Sequence, residues 1–444
     1  MDLSLSRIRS LITLFPRYTT PTIHIAGTNG KGSTTAFVDS ILRQAGLFTG
    51  RYNSPHFLTI RDSILLDAHE ISPDDYQEAF RSVATANEIG GCRCTNFELQ
   101  TATALLAFER AGVDVAILEV GLGGRLDATN VIPDDVVMVS GIASIDLDHR
   151  DVLGNTLEEI ASEKAAIARR GHPCILGHQL HPEVVEAVKK SVSAKGGYLL
   201  HASDQVQVFP LPPTPCHPAL PPPPTKVAID IHGEQTSATI SLQGSHQVHN
   251  AELAVALVET LKHSPSFQDI TLKQVAQGLS LASWPGRLEW LNYCDPMEYG
   301  ENPWLLVDGA HNAASAACLA TYLASLPLTS TRSFVISLSH SPSKSPRSTL
   351  EALLLPGDRV AIVPFTLVEG MPWVKPQESA TVMQAAKDLV GSSGEVVVWD
   401  DLRAALGWAG QGHSVVVVTG SLYLVADLYR LLPTPQTSDL RSVV

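Results

Sequence analysis

Residues 27–33 read GTNGKGS: three glycines, one lysine and a terminal hydroxyl within seven positions. The preceding stretch, Thr22 to Ala26, is apolar and β-rich, and from Thr34 to Gly46 the apolar residues recur at helical spacing. The loop therefore joins a strand to the start of a helix, where unpaired backbone N–H groups and the helix dipole favour an anion. Glycine lets such a backbone curl without Cβ clashes, Lys31 adds a point charge, and Ser33 or Thr34 can reach a metal ion. The phosphate-loop pattern G-x-x-x-x-G-K-[ST] is not strictly met, because Gly32 separates Lys31 from Ser33 and Ile25 stands at the first glycine position. Phosphate binding at Asn29, Gly30, Lys31, Gly32 and Ser33 is the chemistry this loop predicts, against the plainer reading of a Gly-rich turn with a solvated lysine.

Other polar groups fall near strand ends. Glu119 interrupts the apolar run AILEVG, where a lone buried carboxylate is costly, so a metal ion or a neighbouring Arg or Lys should balance it. His149, in IDLDHRDVLG, follows the apolar run 136–143; for a lone histidine the ordinary reading is a hydrogen-bonded side chain, with ligation the alternative. Ser54, in YNSPHF, precedes Pro55, which restricts it to extended backbone. Hydroxyl, carboxylate and imidazole around a phosphate-bound ion suit Mg²⁺. Lys164, in SEKAAI, reads from the pattern alone as a solvated surface lysine.

The elements that must position these groups alternate. Strands are predicted over 114–121 and 136–143, and helices over 156–171 and 246–262, which implies a mostly parallel sheet covered on both faces with ligands at the carboxyl ends of its strands. The segment PLPPTPCHPALPPPP (210–224) is too proline-rich for regular structure and reads as an exposed insertion. WPGR (284–287) reads as a hinge, followed by a second strand-and-helix series with strands over 304–312, 333–339, 359–365, 395–401 and 414–420. The predicted organisation is an ATP-binding α/β domain over 1–283, a hinge over 284–290, and a smaller Rossmann-like α/β domain over 291–444.

Composition sets the class. With 444 residues, 44% hydrophobic and 17% charged, the chain is globular and long enough for two domains. A net charge of -14 argues against a nucleic-acid partner, though not against small anions held by local groups. Six scattered cysteines form no zinc or disulfide framework, pointing to a reducing compartment, and no apolar run approaches a membrane span. The N-terminus carries Arg7, Arg9 and Arg17 with no acid between Asp2 and Asp39, which faintly suits a mitochondrial leader. Leu3, Ile8, Leu11, Ile12 and Phe15 instead make an amphipathic helix able to pack on the domain. The second reading, and with it a cytoplasmic location, is preferred.

GTNGKGS, YNSPH, EVGLGGRLDATN, LDH with a following LG, EKAAI, GSHQVHNA, WPGRLE and DGAHN occur in the order and approximate spacing of the folylpolyglutamate synthase/dihydrofolate synthase family. The chain resembles that family, whose members are Mur-ligase-like, ATP-dependent amide-forming enzymes, over roughly residues 5–430. The resemblance implies that Asn29, Gly30, Lys31 and Gly32 wrap the ATP phosphates, that Ser54, Glu119 and His149 hold magnesium, and that Lys164 is carbamylated near a second metal ion. It further implies that Asn250 and Arg287 contact ATP, that Asp308 meets the nucleotide from the second domain, and that His311 lies near the incoming glutamate. The implied fold is a Mur-ligase-like P-loop ATPase domain followed by the Rossmann-like one, acting as a monomer.

GGRLDATN and VEGMPWVKP (368–376) resemble the dihydrofolate synthases, the latter the fungal ones. The expected substrates are therefore 7,8-dihydropteroate, L-glutamate and ATP, with polyglutamylation of tetrahydrofolates as the alternative. Ser54, Pro55 and His56 are candidates to border the pterin. Two departures stand out: SLSHSPSKSPRS (337–348) replaces the family's acidic-lysine turn, so Lys344 is no safe stand-in, and Arg150 stands where Thr is commoner. A P-loop kinase or transport-type ATPase would account for the first domain but give DGAHN no role, and a non-catalytic nucleotide-binding protein would not need Lys31, Glu119, His149, Lys164 and Arg287 together.

Overall fold

Thr22–Ala26 is fully buried because it forms a central strand with neighbours on both sides. The computed structural model describes residues 4–212, 220–292, 303–328, 331–341, 345–368 and 370–432. In chain order the first strands are β1 (Thr22–Ala26), β2 (Thr49–Tyr52), β3 (Ile64–Leu66), β4 (His69–Glu70), β5 (Val115–Glu119), β6 (Val137–Ile142), β7 (Pro173–Leu176) and β8 (Tyr198–His201). They form one sheet in the order β4-β3-β2-β5-β1-β6-β7-β8, parallel from β2 to β8 and antiparallel at the β2-β3-β4 edge. The Val/Ile-rich runs of β1, β5 and β6 suit strands covered on both faces. On one face the helices Lys31–Gln44 and His246–Leu261 supply Phe37, Ile41, Leu253 and Leu257 to a continuous core. Each such fully buried side chain contributes about 1.5–3 kcal/mol relative to exposure.

Register brings the chemistry to one edge. Ile25 pairs with Glu119, Tyr52 with Leu118, and Ala26 with Ile142. The carboxyl ends of β1, β2, β5 and β6 therefore coincide, and the segments that leave them emerge side by side.

Three features differ from the sequence expectations. The helix after the glycine loop begins at Lys31, not Thr34, so Lys31, Gly32 and Ser33 form its first turn. The helix expected over 156–171 spans only Leu157–Ala165; the chain then turns so that the Ile167 carbonyl accepts from Ser140 Oγ and the Arg169 guanidinium. A small antiparallel sheet of β9 (Gln207–Pro210), β10 (Thr225–Ile231) and β11 (Glu234–Ile240) flanks the proline-rich segment, whose residues 213–219 lie outside the described residues. Leu220, at its far end, is half-buried against a hydrophobic core rather than exposed.

At the N-terminus the helix Ser6–Ile12 buries Ile8 and Leu11 completely, the amphipathic arrangement its periodicity predicts; Leu3 lies outside the described residues. No described helix is long and apolar enough to cross a membrane.

By internal contacts the chain divides into two units, Met1–Pro215 with Pro224–Trp284, and Cys216–Pro223 with Pro285–Val444. The second contains β12 (Glu289–Asn292), β13 (Trp304–Asp308), β14 (Ser333–Ile336), β15 (Arg359–Ile362), β16 (Glu395–Val398) and β17 (Val415–Thr419). Their order is β12-β13-β17-β14-β15-β16, parallel except for β12. The strands stop earlier than their apolar runs suggest: β13 ends at Asp308, and Asn312 caps the helix Ala313–Ser325 by accepting from the Ser315 N–H at 2.9 Å.

Candidate active site

Gly30 is the residue preceding the helix Lys31–Gln44, and it sits in the left-handed region at φ 87°. No side chain caps this helix, so its first N–H groups are left for another acceptor, an arrangement that favours an anion. An added Cβ at Gly30 would fall 2.4 Å from Asn250 Oδ1, so Asn250 lies directly against the loop. The loop is tied to the sheet by the N–H groups of Thr28 and Asn29, which both donate to the Ser144 carbonyl, at 2.8 and 3.1 Å.

Lys31 folds back over this loop. Its ammonium donates to the carbonyls of Gly27 and Thr28, each at 3.2 Å, and lies 3.8 Å from Glu119 Oε1. Glu119 is buried, and its other oxygen accepts from Asn53 Nδ2 at 2.6 Å. The carboxylate that interrupts β5 thus has the cationic partner the sequence required. Asn53 also donates to Thr35 Oγ1 at 2.8 Å, joining the end of β2 to the phosphate-loop helix.

Lys164 is not the surface lysine its local pattern suggests. It is 4% exposed, and its ammonium donates to the Gly27 carbonyl at 2.8 Å. Burial, reinforced by the charge of Lys31 and opposed by Asp148 and Asp127, brings its pKa down to about 7. The GLGG segment closes on this helix end: a Cβ at Gly124 would meet the Lys164 carbonyl at 2.7 Å.

Ser54 follows Asn53 through a chain that turns at the cis Ser54–Pro55 bond. Its Oγ is buried with no hydrogen-bond partner, and it lies 3.1 Å from the Cβ position of Gly121, beside the end of β5. A buried hydroxyl without a partner, one residue after the Asn53 that holds the Glu119 carboxylate, fits a hard cation with oxygen ligands. His149 is exposed, in the left-handed region at φ 51°, at the start of the helix Arg150–Leu153. Among the described residues no three His, Cys, Asp or Glu side chains cluster.

Behind the loop, Gln247 donates to Ser33 Oγ at 3.2 Å and accepts from Asn250 Nδ2 at 2.9 Å. Sequence reasoning passed over Asn53 and Gln247. The first stands one position past a strand end, and the second lies one helical turn before Asn250; both are positions where polar side chains reach a shared site.

The second unit holds its own cluster. Asp308, buried at the end of β13, accepts from the N–H groups of Leu288 and Ala310 at 2.9 and 2.8 Å. Burial raises its pKa, with the Arg287 charge and those hydrogen bonds opposing. The Arg287 side chain lies close over Gly309, where a Cβ would stand 2.6 Å from its Nη1. His311 is exposed, with Nδ1 2.9 Å from the Gly309 carbonyl. Beneath the WPGR turn, Glu289 Oε2 accepts from the Gly286 N–H at 2.8 Å and the Tyr429 hydroxyl at 2.5 Å. Lys344 lies outside the described residues.

Residues 25–195 match the Mur ligase middle domain, and residues 289–431 match the C-terminal domain of dihydrofolate synthetase. Over 445 aligned residues the chain is 33% identical to a dihydrofolate synthetase of Saccharomyces cerevisiae, covering 97% of this chain and 98% of that protein. The chain belongs to the dihydrofolate synthase/folylpolyglutamate synthase family. Its fold agrees with solved members. A Mycobacterium tuberculosis folylpolyglutamate synthase complexed with ADP and AMPPCP superposes with a TM-score of 0.81 at 31% identity, over 98% of this chain and 96% of that one. A bifunctional folylpolyglutamate synthase/dihydrofolate synthase with Mn, AMPPNP and L-glutamate bound gives 0.76 at 26% identity, over 97% and 94%. Membership makes the glycine loop part of an ATP-dependent ligase of Mur type and removes the kinase and transport-ATPase readings, which leave residues 289–431 unexplained.

Proposed function

We propose that this protein is a dihydrofolate synthase, joining L-glutamate to 7,8-dihydropteroate with hydrolysis of ATP to ADP and phosphate. The observation that carries the choice of substrate is the end-to-end match to a dihydrofolate synthetase. In the reaction a carboxylate oxygen of dihydropteroate attacks the γ-phosphorus of ATP and ADP leaves. The amine of glutamate then attacks the resulting acyl phosphate, loses a proton, and expels phosphate from the tetrahedral intermediate.

The protein's part is positioning and charge. The helix terminus at Gly30–Ser33 and the Lys31 ammonium hold the phosphates, Asn250 and Arg287 contact the nucleotide, and Asp308 and His311 meet it and the incoming glutamate. Exclusion of bulk water from these groups would protect the acyl phosphate from hydrolysis. Mg²⁺, when bound, would neutralise phosphate oxygens, held by Ser54, Glu119 and His149. Lys164, with its pKa brought down to about 7, has a sizeable neutral fraction near neutral pH, the form that adds CO₂; the carbamate would offer a carboxylate to a second ion. Action as a cytoplasmic monomer is part of this proposal.

Purified protein with ATP, Mg²⁺ and glutamate, offered either dihydropteroate or tetrahydrofolate, should form dihydrofolate from the first. Turnover with tetrahydrofolate alone would make it a folylpolyglutamate synthase, the second reading, which the match to the M. tuberculosis synthase favours.

A further inference from the structure

Arg51 is 5% exposed, yet its side chain is incompletely satisfied. Its Nη1 lies 3.6 Å from Asp39 Oδ2, and its Nε has no hydrogen-bond partner. What it does have is an aromatic face: the guanidinium carbon stands 5.0 Å from the centroid of a Trp284 ring, within cation–π range.

The other contact of that indole is the phosphate-loop helix. A Cβ at Gly32 would lie 2.7 Å from three Trp284 ring atoms, Cε2, Cζ2 and Nε1, a spacing only glycine permits. Asp39, which holds Arg51, is on the same helix, Lys31–Gln44. The contacts therefore close a ring: helix, Asp39, Arg51, Trp284, and back to the helix at Gly32. The point from which Trp284 projects is also fixed. It follows the helix Leu272–Leu281, whose Gly278 would place a Cβ 2.4 Å from the Ile41 Cα. All of these residues belong to the first unit.

We propose that Trp284 is a positioning residue for the triphosphate site: clamped between Arg51 and Gly32, its indole fixes the first helical turn on which the Lys31 side chain and the phosphate-binding N–H groups are carried. This rests on the reading of residues 27–33 as the phosphate loop. It explains the buried arginine, as a flat cationic backing for the indole. It also explains why glycine separates Lys31 from Ser33, a position where the ordinary phosphate loop has none.

Steady-state ADP formation and circular dichroism on wild type, W284A, W284F, G32A and the G32A/W284A double variant test the proposal. W284A should raise KM for ATP about tenfold, the scale of coupling between residues in contact, while KM for glutamate stays within about twofold. W284F, which keeps an aromatic face over Arg51, should recover most of that loss. G32A should be impaired alone, yet add little further in the W284A background, where the methyl group no longer meets the indole. Trp284 is the one tryptophan of the first unit, so Mg·ADP should change the emission of wild type more than that of W284F. If W284A does not fold, the fluorescence of W284F and a G32A/W284F double variant in place of G32A/W284A carry the test.

An unchanged KM for ATP in folded W284A, or strictly additive effects of G32A and W284A, would overturn the proposal. Calorimetric titration of K31A with Mg·ADP separates the two readings. Loss of binding in K31A with none in W284A removes only the role of Trp284, whereas full binding in K31A removes the phosphate loop itself.

Discussion

Lys31 and Lys164 donate to the same oxygen, the carbonyl of Gly27, at 3.2 and 2.8 Å. Two cations converging on one backbone atom concentrate positive charge beside the helix terminus, and burial with mutual repulsion leaves Lys164 with a pKa of about 7. Its folded pKa lies below the unfolded value, so between about pH 7 and 10 the unfolded chain binds the extra proton and stability rises with pH. Below about pH 7 both states are protonated and this contribution is flat. Relative to Lys164→Met, the first unit should gain at most about 1.4 kcal/mol per pH unit across that window. Denaturant titrations of the two proteins check this; parallel pH profiles would mean Lys164 is not held as described.

Lys31→Ala should lower kcat for ADP formation by about 10²–10³, the effect of removing one preorganised charge-stabilising group. Circular dichroism should be unchanged, since Lys31 is only partly buried and its hydrogen bonds go to loop carbonyls. Undiminished activity would place the phosphates elsewhere.

Ser54 and Glu119 should separate metal binding from stability. Because Ser54 Oγ has no protein partner, Ser54→Ala should leave stability within about 0.5 kcal/mol. The Mg²⁺ concentration for half-maximal rate should nevertheless rise. Glu119→Gln keeps the size of the group that Asn53 touches but loses the charge facing Lys31, and should raise that concentration further. A Mg²⁺ titration checks both, and unaltered requirements would count against this metal site.

Asp308→Ala leaves the Leu288 and Ala310 N–H groups without their acceptor and Arg287 without its counter-charge. Each buried unsatisfied group costs about 1–3 kcal/mol, so thermal unfolding should show a clearly weakened second unit. Asp308→Asn, which retains an acceptor oxygen, should be milder in stability while still raising KM for ATP. Equal stability of all three proteins would show that the carboxylate does not organise this turn.

Much of the site was legible because its residues break the pattern of their surroundings. Glycines and a lysine after an apolar strand mark the phosphate loop, and a glutamate inside AILEVG declares its need for a partner. Lys164 gave no such signal. It lies on the face of its short helix that buries Ile160, Ala161 and Ala165, a periodicity the local motif hid, and its acceptor, the carbonyl of Gly27, stands 137 residues earlier. The early start of the helix at Lys31 was hidden for a related reason: Gly32 lowers local helix propensity, while the packing of Trp284 against it is a tertiary effect. The strands on either side of the proline-rich segment were overlooked because that composition dominates its neighbourhood, although β10 and β11 alternate buried and half-buried residues over part of their length.

The most direct test of the central claim is a crystal structure with Mg²⁺ and a non-hydrolysable ATP analogue. The account predicts the phosphates against the N–H groups of residues 30–33, with the Lys31 ammonium moved from the Gly27 and Thr28 carbonyls onto phosphate oxygen. An analogue bound elsewhere, with Lys31 still on those two carbonyls, would contradict it.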